Sequence, residues 1–192
     1  MRLWTAIKMT IVLTLLTGII YPFLIFAIGQ VLFPVQANGS LVARDGKVVG
    51  SLLIGQNFAG PKYFHGRPSA AGDKGYDATS SGGSNLGPTN KSLIDTVRTR
   101  VKEVVESNPG VTASQVPISL VTASGSGLDS EISPAAAELQ VPRVAKARGI
   151  SEDQVRAIVR SLTRGRWAGV IGEPGVNVLL LNLALDQQNS HQ

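Results

Sequence analysis

The run from Met9 to Phe33, MTIVLTLLTGIIYPFLIFAIGQVLF, constrains this chain more than any other feature. It holds no charged residue, and none follows until Arg44. At about 1.5 Å per residue a helix of this length covers roughly 37 Å, enough to cross a hydrocarbon core. Arg2, Lys8 and the N-terminal amine stand at one end with no acid among them. The positive-inside bias therefore puts residues 1–8 in the cytoplasm, 9–33 across the membrane and 34–192 outside it. A cleaved signal peptide is the competing reading, with Arg2 and Lys8 as its basic region and Val35-Gln36-Ala37 as its small-residue cleavage site. An apolar run well beyond the usual 7–15 or so residues favours a retained anchor. Both readings export the remainder.

The span carries a polar stripe. Thr10, Thr14, Thr17 and Tyr21 recur at helical spacing with Gly18 beside them. Small and hydroxylated residues let a second helix approach, so these five form a candidate helix-docking face. Alternatively each threonine bonds its own i−4 carbonyl and the stripe contacts nothing. Pro22 cannot donate to the carbonyl of Gly18, which predicts a kink or a partner contact near mid-span.

Beyond the anchor about 155 residues remain, enough for one domain with its own core. The net charge of +5 falls to +3 without Arg2 and Lys8, and the basic residues are interspersed with acids. That pattern argues against nucleic-acid binding. There is no cysteine, which excludes disulfides and thiol catalysis. With two histidines, one of them (His191) in a polar tail, no histidine-based metal site is expected.

Residues 38–53 read as a β-hairpin, with Leu41-Val42-Ala43 and Lys47-Val48-Val49 flanking a turn at Asp45-Gly46. From Gly55 to Asn90 the chain is rich in Gly, Ser, Pro and Asn and has no apolar period. Its aromatics, Phe58, Tyr63, Phe64 and Tyr76, point to an ordered loop facing a partner or substrate. Asn90 is placed to cap a helix over 91–107, whose Leu93, Val97, Val101 and Val104 share one face, and Pro109-Gly110 stops it. Val116–Thr122 reads as a strand entering a turn at Gly125-Ser126-Gly127. Ser133-Pro134 opens a helix that Pro142 kinks or divides and Gly149 ends. Ser151-Glu152-Asp153-Gln154 forms a capping box, Ile150 and Val155 a hydrophobic staple, and Val155, Ile158, Val159 and Leu162 one stripe up to Gly165. Val176–Leu181 resembles a buried strand, although a helix start has the same composition. The tail after Asp186 is polar and expected to fray. Strands and helices mix without regular alternation, so the fold class is α+β: one transmembrane helix followed by one mixed α/β extracytoplasmic domain.

Three constellations suggest chemistry. Ser84 or Ser126 could act as a nucleophile with His65 as base, making the chain a membrane-anchored exported serine hydrolase. Neither serine matches the G-x-S-x-G elbow, and turn serines are the plainer account. Leu120–Gly127 partly echoes a dinucleotide loop, but Ser130 stands where the third glycine belongs. Asp129 and Glu131 could hold a cation through oxygen ligands, or simply favour the start of the next helix. The densest mix of rings and cations is Pro61-Lys62-Tyr63-Phe64-His65-Gly66-Arg67-Pro68-Ser69, which reads as an interface or as a loop covering the core.

Those residues also carry a resemblance. Gly55-Gln56-Asn57-Phe58, Tyr63–Ser69, Ser81-Gly82-Gly83-Ser84-Asn85-Leu86-Gly87-Pro88-Thr89-Asn90, Val121–Asp129, Ile132–Ala136, Gln140–Ala145, Gly172–Leu179 and Leu181–Asp186 together resemble the C subunit of the Kdp potassium-transporting P-type ATPase, the KdpC family. With the N-terminal span these blocks cover nearly the whole chain in order. The resemblance implies a non-pumping accessory subunit of a bacterial inner-membrane complex, with no catalytic residues of its own. Implied partners are a channel-like potassium-translocating subunit (KdpA), a P-type catalytic subunit (KdpB) and a small membrane peptide (KdpF). The family is described as a catalytic chaperone that raises the ATP affinity of the catalytic subunit. ATP and potassium are thus implied for the complex, and no cofactor is assigned to this chain. The charge bias, which puts the domain outside, and the lack of a phosphate-binding loop favour assembly and coupling, with the domain covering the outer potassium entrance. The candidate partner-contact residues are Tyr63, Phe64, His65, Arg67, Ser84, Asn85, Ser124, Ser126 and Asp129.

Overall fold

A computed structural model describes residues 2–189, which divide into two compact units between Ser51 and Leu52. The polar tail of the sequence reading falls partly beyond them. Helix α7 keeps its geometry as far as Asn189, and His191 lies outside the described residues.

The first unit opens on 31 helical residues, Arg2–Leu32, long and apolar enough to cross a membrane. None of its side chains is buried. The helix comprises α1 (Arg2–Leu15), a π-helical turn (Leu16–Ile20) and α2 (Tyr21–Leu32), and the Tyr21 N–H bonds the Leu16 carbonyl five residues back. The wide turn lies directly before Pro22. A proline ring clashes with the carbonyl four residues earlier, and an i→i+5 turn gives it room. The predicted irregularity is therefore a π segment centred on Gly18. A short helix α3 (Pro34–Ala37) includes Val35-Gln36-Ala37, and the hairpin β1 (Leu41–Arg44) and β2 (Lys47–Ser51) pairs antiparallel around Asp45-Gly46. Both turn residues have positive φ, 52° and 74°, as tight hairpin turns require.

In the second unit α4 (Lys91–Ser107) starts where Asn90 accepts the N–H groups of Ser92 and Leu93. Residues 116–122 are not a strand. Pro117, with φ near −64°, opens a 3-10 turn at Ile118–Leu120 after an earlier one at Ala113–Gln115. Only Leu120 and Val121 of the apolar run are buried, while Ile118 faces outward. Strand β3 (Glu131–Ile132) leads through the Ser133 cap into α5 (Pro134–Arg148), which runs unbroken through Pro142 to a left-handed Gly149. Proline frees the carbonyl of Glu138, and that residue is exposed, so water can take the bond and the helix need not divide. Helix α6 (Glu152–Leu162) has the full capping box between Ser151 and Gln154.

Strands β4 (Thr163–Arg164) and β5 (Gly175–Asn177) follow, then α7 (Val178–Asn189). The sheet order is β3-β5-β4, all antiparallel, with Ile132 and Thr163 both opposite Val176. The apolar run at 176–181 is thus strand first and helix second. Asn177 makes the switch: its Oδ1 accepts the N–H of Leu180, an N-cap bond, while its Nδ2 donates to the Leu52 carbonyl. The core gathers Phe64, Ile132, Val141, Val144, Val155, Val176, Leu181 and Leu185 between the sheet and α5–α7.

Candidate functional site

The irregular stretch 55–90 is ordered by two sets of bonds. The first joins it to residues 122–129. Arg67 donates from Nε to the Thr122 carbonyl (3.0 Å), from Nη2 to the Ala123 carbonyl (3.2 Å) and from Nη1 to Asp129 Oδ2 (2.9 Å). Ser69 Oγ donates to the Gly127 carbonyl at 2.6 Å and accepts the N–H groups of Ala71 and Tyr76. The Tyr76 hydroxyl returns to the Arg67 carbonyl. Gly127 is required twice over: its φ is +69°, and a Cβ there would lie 2.7 Å from both Ala71 N and the Gly82 oxygen. Gly82 N–H and Ser81 Oγ both donate to the Ser126 carbonyl, closing the far end of the clasp.

The second set replaces a strand partner with amide side chains. Asn182 of α7 accepts the Phe64 N–H (2.8 Å) and donates to the Phe64 carbonyl (3.0 Å). Gln140 of α5 does the same for His65, at 2.8 and 3.2 Å. One turn on, Arg143 donates to the carbonyls of Pro61 (2.8 Å) and Tyr63 (2.9 Å), to Asn108 Oδ1 and to Gln140 Oε1. Burial lowers its pKa to about 10, so it stays charged at neutral pH, bonded to neutral oxygens. Beside it the His65 Nε2 meets the Gly60 carbonyl at 3.0 Å. Burial and the Arg143 charge hold the His65 pKa below the usual imidazole value, against the smaller upward pull of that bond.

The expected contact residues separate accordingly. Phe64 is 0% exposed, so its ring belongs to the core rather than to a partner surface. Tyr63 is half-buried, with its ring tilted against Phe58 and cations of Lys62 and Arg148 above it at 5.1 and 5.3 Å. Ser124 is buried, and its hydroxyl lies 3.4 Å from that of the exposed Ser126. Ser84 and Asn85 are exposed, with Asn85 at φ +51°. Arg67, Ser126 and Asp129 line one open hollow of about 890 Å³ together with Glu131, Arg164 and Glu173. On the span, Thr17 Oγ1 donates to its own i−4 carbonyl, Leu13, at 2.7 Å.

None of the three chemical constellations assembles. The His65 ring meets the Gly60 carbonyl and not a serine, which gives no support to a serine hydrolase. The glycine turn at 125–127 has a 3-10 turn before it and no helix opening after it, so it lacks the strand and helix of a dinucleotide loop. Asp129 is paired with Arg67, and Glu131 with Arg164 through both carboxylate oxygens (2.7 and 3.2 Å). Among the described residues no cluster of His, Asp and Glu could hold a metal ion.

Sequence reasoning missed Arg143, Gln140, Asn182 and Asn108 as organisers of the loop. Their signal is burial of polar residues, three on the helices α5 and α7 and Asn108 just past the end of α4, and that needs the tertiary structure. Over residues 3–187 the chain matches the family model described as K+-transporting ATPase, c chain (KdpC). It is 59% identical over 181 residues to the potassium-transporting ATPase KdpC subunit of Gemmatimonas aurantiaca, covering 94% of this chain and 90% of that protein. It is 55% identical to the protein of that name in Rhodopseudomonas palustris (strain BisB5), covering 94% of each. The corresponding Methylococcus capsulatus protein is also 55% identical, covering 94% and 95%.

Proposed function

The chain belongs to the KdpC family, the c chain of the K+-transporting ATPase, and from that premise we propose that it serves as the non-pumping accessory subunit of an ATP-driven potassium importer. Its span anchors it, and its second unit lies on the extracytoplasmic face, where it supports assembly and covers the outer potassium entrance. Its partners are a potassium-translocating subunit (KdpA), a P-type catalytic subunit (KdpB) and a small membrane peptide (KdpF). ATP and potassium belong to the complex. Any gain in ATP affinity reaches the catalytic subunit through subunit contacts, not through nucleotide held by this chain.

The observation that carries this reading is the order imposed on residues 55–90. The Arg67 clasp and the Asn182, Gln140 and Arg143 bonds fix a long irregular segment and leave Ser84 and Asn85 exposed upon it. A surface ordered in advance loses little entropy on docking. Gentle detergent extraction of the tagged chain tests it. The larger transporter subunits should co-purify, and recovery of the chain alone would sink the reading. Ser84→Arg with Asn85→Arg, both on the exposed loop, should cut that recovery about tenfold, the effect of about 1.4 kcal/mol. Full recovery would remove this loop from the interface.

A further inference from the structure

Between β4 and β5 the chain makes an excursion that neither set of loop bonds uses. After the pairs Thr163↔Val176 and Arg164↔Gly175, a separate bridge closes Trp167 on Ile171. Trp167 N–H donates to the Ile171 carbonyl at 2.8 Å and Ile171 N–H donates back at 3.0 Å. Ala168 and Gly169, at φ +50° and +76°, reverse the chain between them. Every residue from 164 to 173 is exposed. Trp167, Val170 and Ile171 are 72%, 74% and 59% exposed, three large apolar side chains within five positions. Nothing in the domain's own packing uses them.

The charge around the tip comes in pairs, each arginine with a carboxylate at the base. Residues 164–172 contain Arg164 and Arg166 and no acid. Arg164 is clasped by Glu131 and Arg166 by Glu173, both at the base, and Arg160 lines a hollow there with Thr163, Gly165 and Pro174. These contacts fix the guanidinium groups, and a guanidinium has five donors, so some remain for phosphate oxygens.

Two kinds of occupant fit an apolar tip. The patch is on the order of 400 Å², about half of the roughly 800 Å² per partner that a stable protein interface needs. A bilayer makes no such demand. Tryptophan with aliphatic neighbours and arginines behind is the composition that settles at the headgroup boundary. The same chain carries a helix long enough to cross that bilayer, and Leu52 follows Leu32 by only about 20 residues. Tethering at that distance gives a weak surface contact a high effective concentration. We propose that the Trp167–Ile171 hairpin is a finger that dips into the membrane surface, placing Trp167, Val170 and Ile171 among the acyl-chain ends and the arginines against anionic headgroups. It rests on the reading of Arg2–Leu32 as a membrane anchor.

The chain has two tryptophans, Trp4 and Trp167, so each can report alone. The full chain is reconstituted in phosphatidylcholine–phosphatidylglycerol vesicles. With Trp4→Phe, brominated acyl chains should quench Trp167 emission, and iodide on both sides should not. Val170→Asp with Ile171→Asp should return that emission to a water-exposed, iodide-quenched state. With Trp167→Phe, brominated lipid should quench Trp4. Quenching of Trp4 without Trp167 overturns the finger alone. Trp167 shielded from both quenchers means a protein covers the tip, and that also overturns it. Loss of lipid quenching at both tryptophans overturns the anchor and the finger with it.

Discussion

Arg143 sits 6% exposed with a full charge, and its hydrogen bonds run to neutral oxygens of residues 60, 61, 63, 108 and 140. Removing it would strand the buried Asn108 Oδ1 and the part-buried carbonyls of Pro61 and Tyr63, and an unmet buried acceptor costs about 1–3 kcal/mol. Arg143→Met should therefore lower unfolding free energy by about 3 kcal/mol in chemical denaturation, even though it deletes a buried charge. An unchanged midpoint would mean that water satisfies those carbonyls. Asn182→Leu, which keeps the volume and loses both Phe64 bonds, should cost a similar amount. His65 supplies a pH test. Its folded pKa lies below the unfolded value, so below the unfolded pKa the unfolded chain binds more protons than the native state. Stability is then full above that value and falls as pH drops towards the folded pKa. Melting temperature should decline from about pH 7 to about pH 5, and His65→Gln should flatten the decline. Equal slopes would assign it to other groups. The residue scale is also where the sequence is least legible. Asn182 stands 118 positions from Phe64, and no local pattern links an amide to a backbone so remote.

Helices were legible because their signals are local. Asn90, Ser133 and Ser151 cap the helices expected of them, since a cap bond spans only two or three residues. The readings that failed depend on partners elsewhere. Val116–Thr122 has the composition of a strand, but it has no ladder partner, and Pro117 starts a 3-10 turn instead. Pro142 is expected to kink or divide its helix, and of these the division does not occur: the packing of Ala136, Ala137, Val141 and Val144 holds α5 as one element. An interior proline costs a helix about 3 kcal/mol when unrelieved. Exposure of Glu138 relieves part of that, so Pro142→Ala should stabilise the domain by about 1 kcal/mol or more, a gain readable as a raised denaturation midpoint. A loss would show that the ring's own packing outweighs the missing bond. Trp167 has no periodic apolar neighbours in Arg-Gly-Arg-Trp-Ala-Gly to give it a local signal. Its meaning comes from the short sheet that projects it.

At the scale of the whole molecule, the chain's charge bias and the chemistry of its clasped loop make one joint demand. Arg2 and Lys8 precede an uncharged span, and no cation follows until Arg44. If the positive-inside bias decides the orientation, every loop of the second unit faces away from the ATP pool. Among the described residues, no glycine turn of those loops stands between a strand and a helix as in a dinucleotide loop. Orientation therefore decides between coupling through subunit contacts and direct contact with nucleotide. Ala78 is an exposed position in the ordered loop, and the chain contains no cysteine of its own. Ala78→Cys thus gives one thiol without disturbing the Asp77–Thr79 bonds beside it. An impermeant maleimide should label it as fully in intact spheroplasts as in lysed ones. Labelling only after lysis would put the domain in the cytoplasm, reverse the proposed topology and make direct nucleotide contact the reading to pursue.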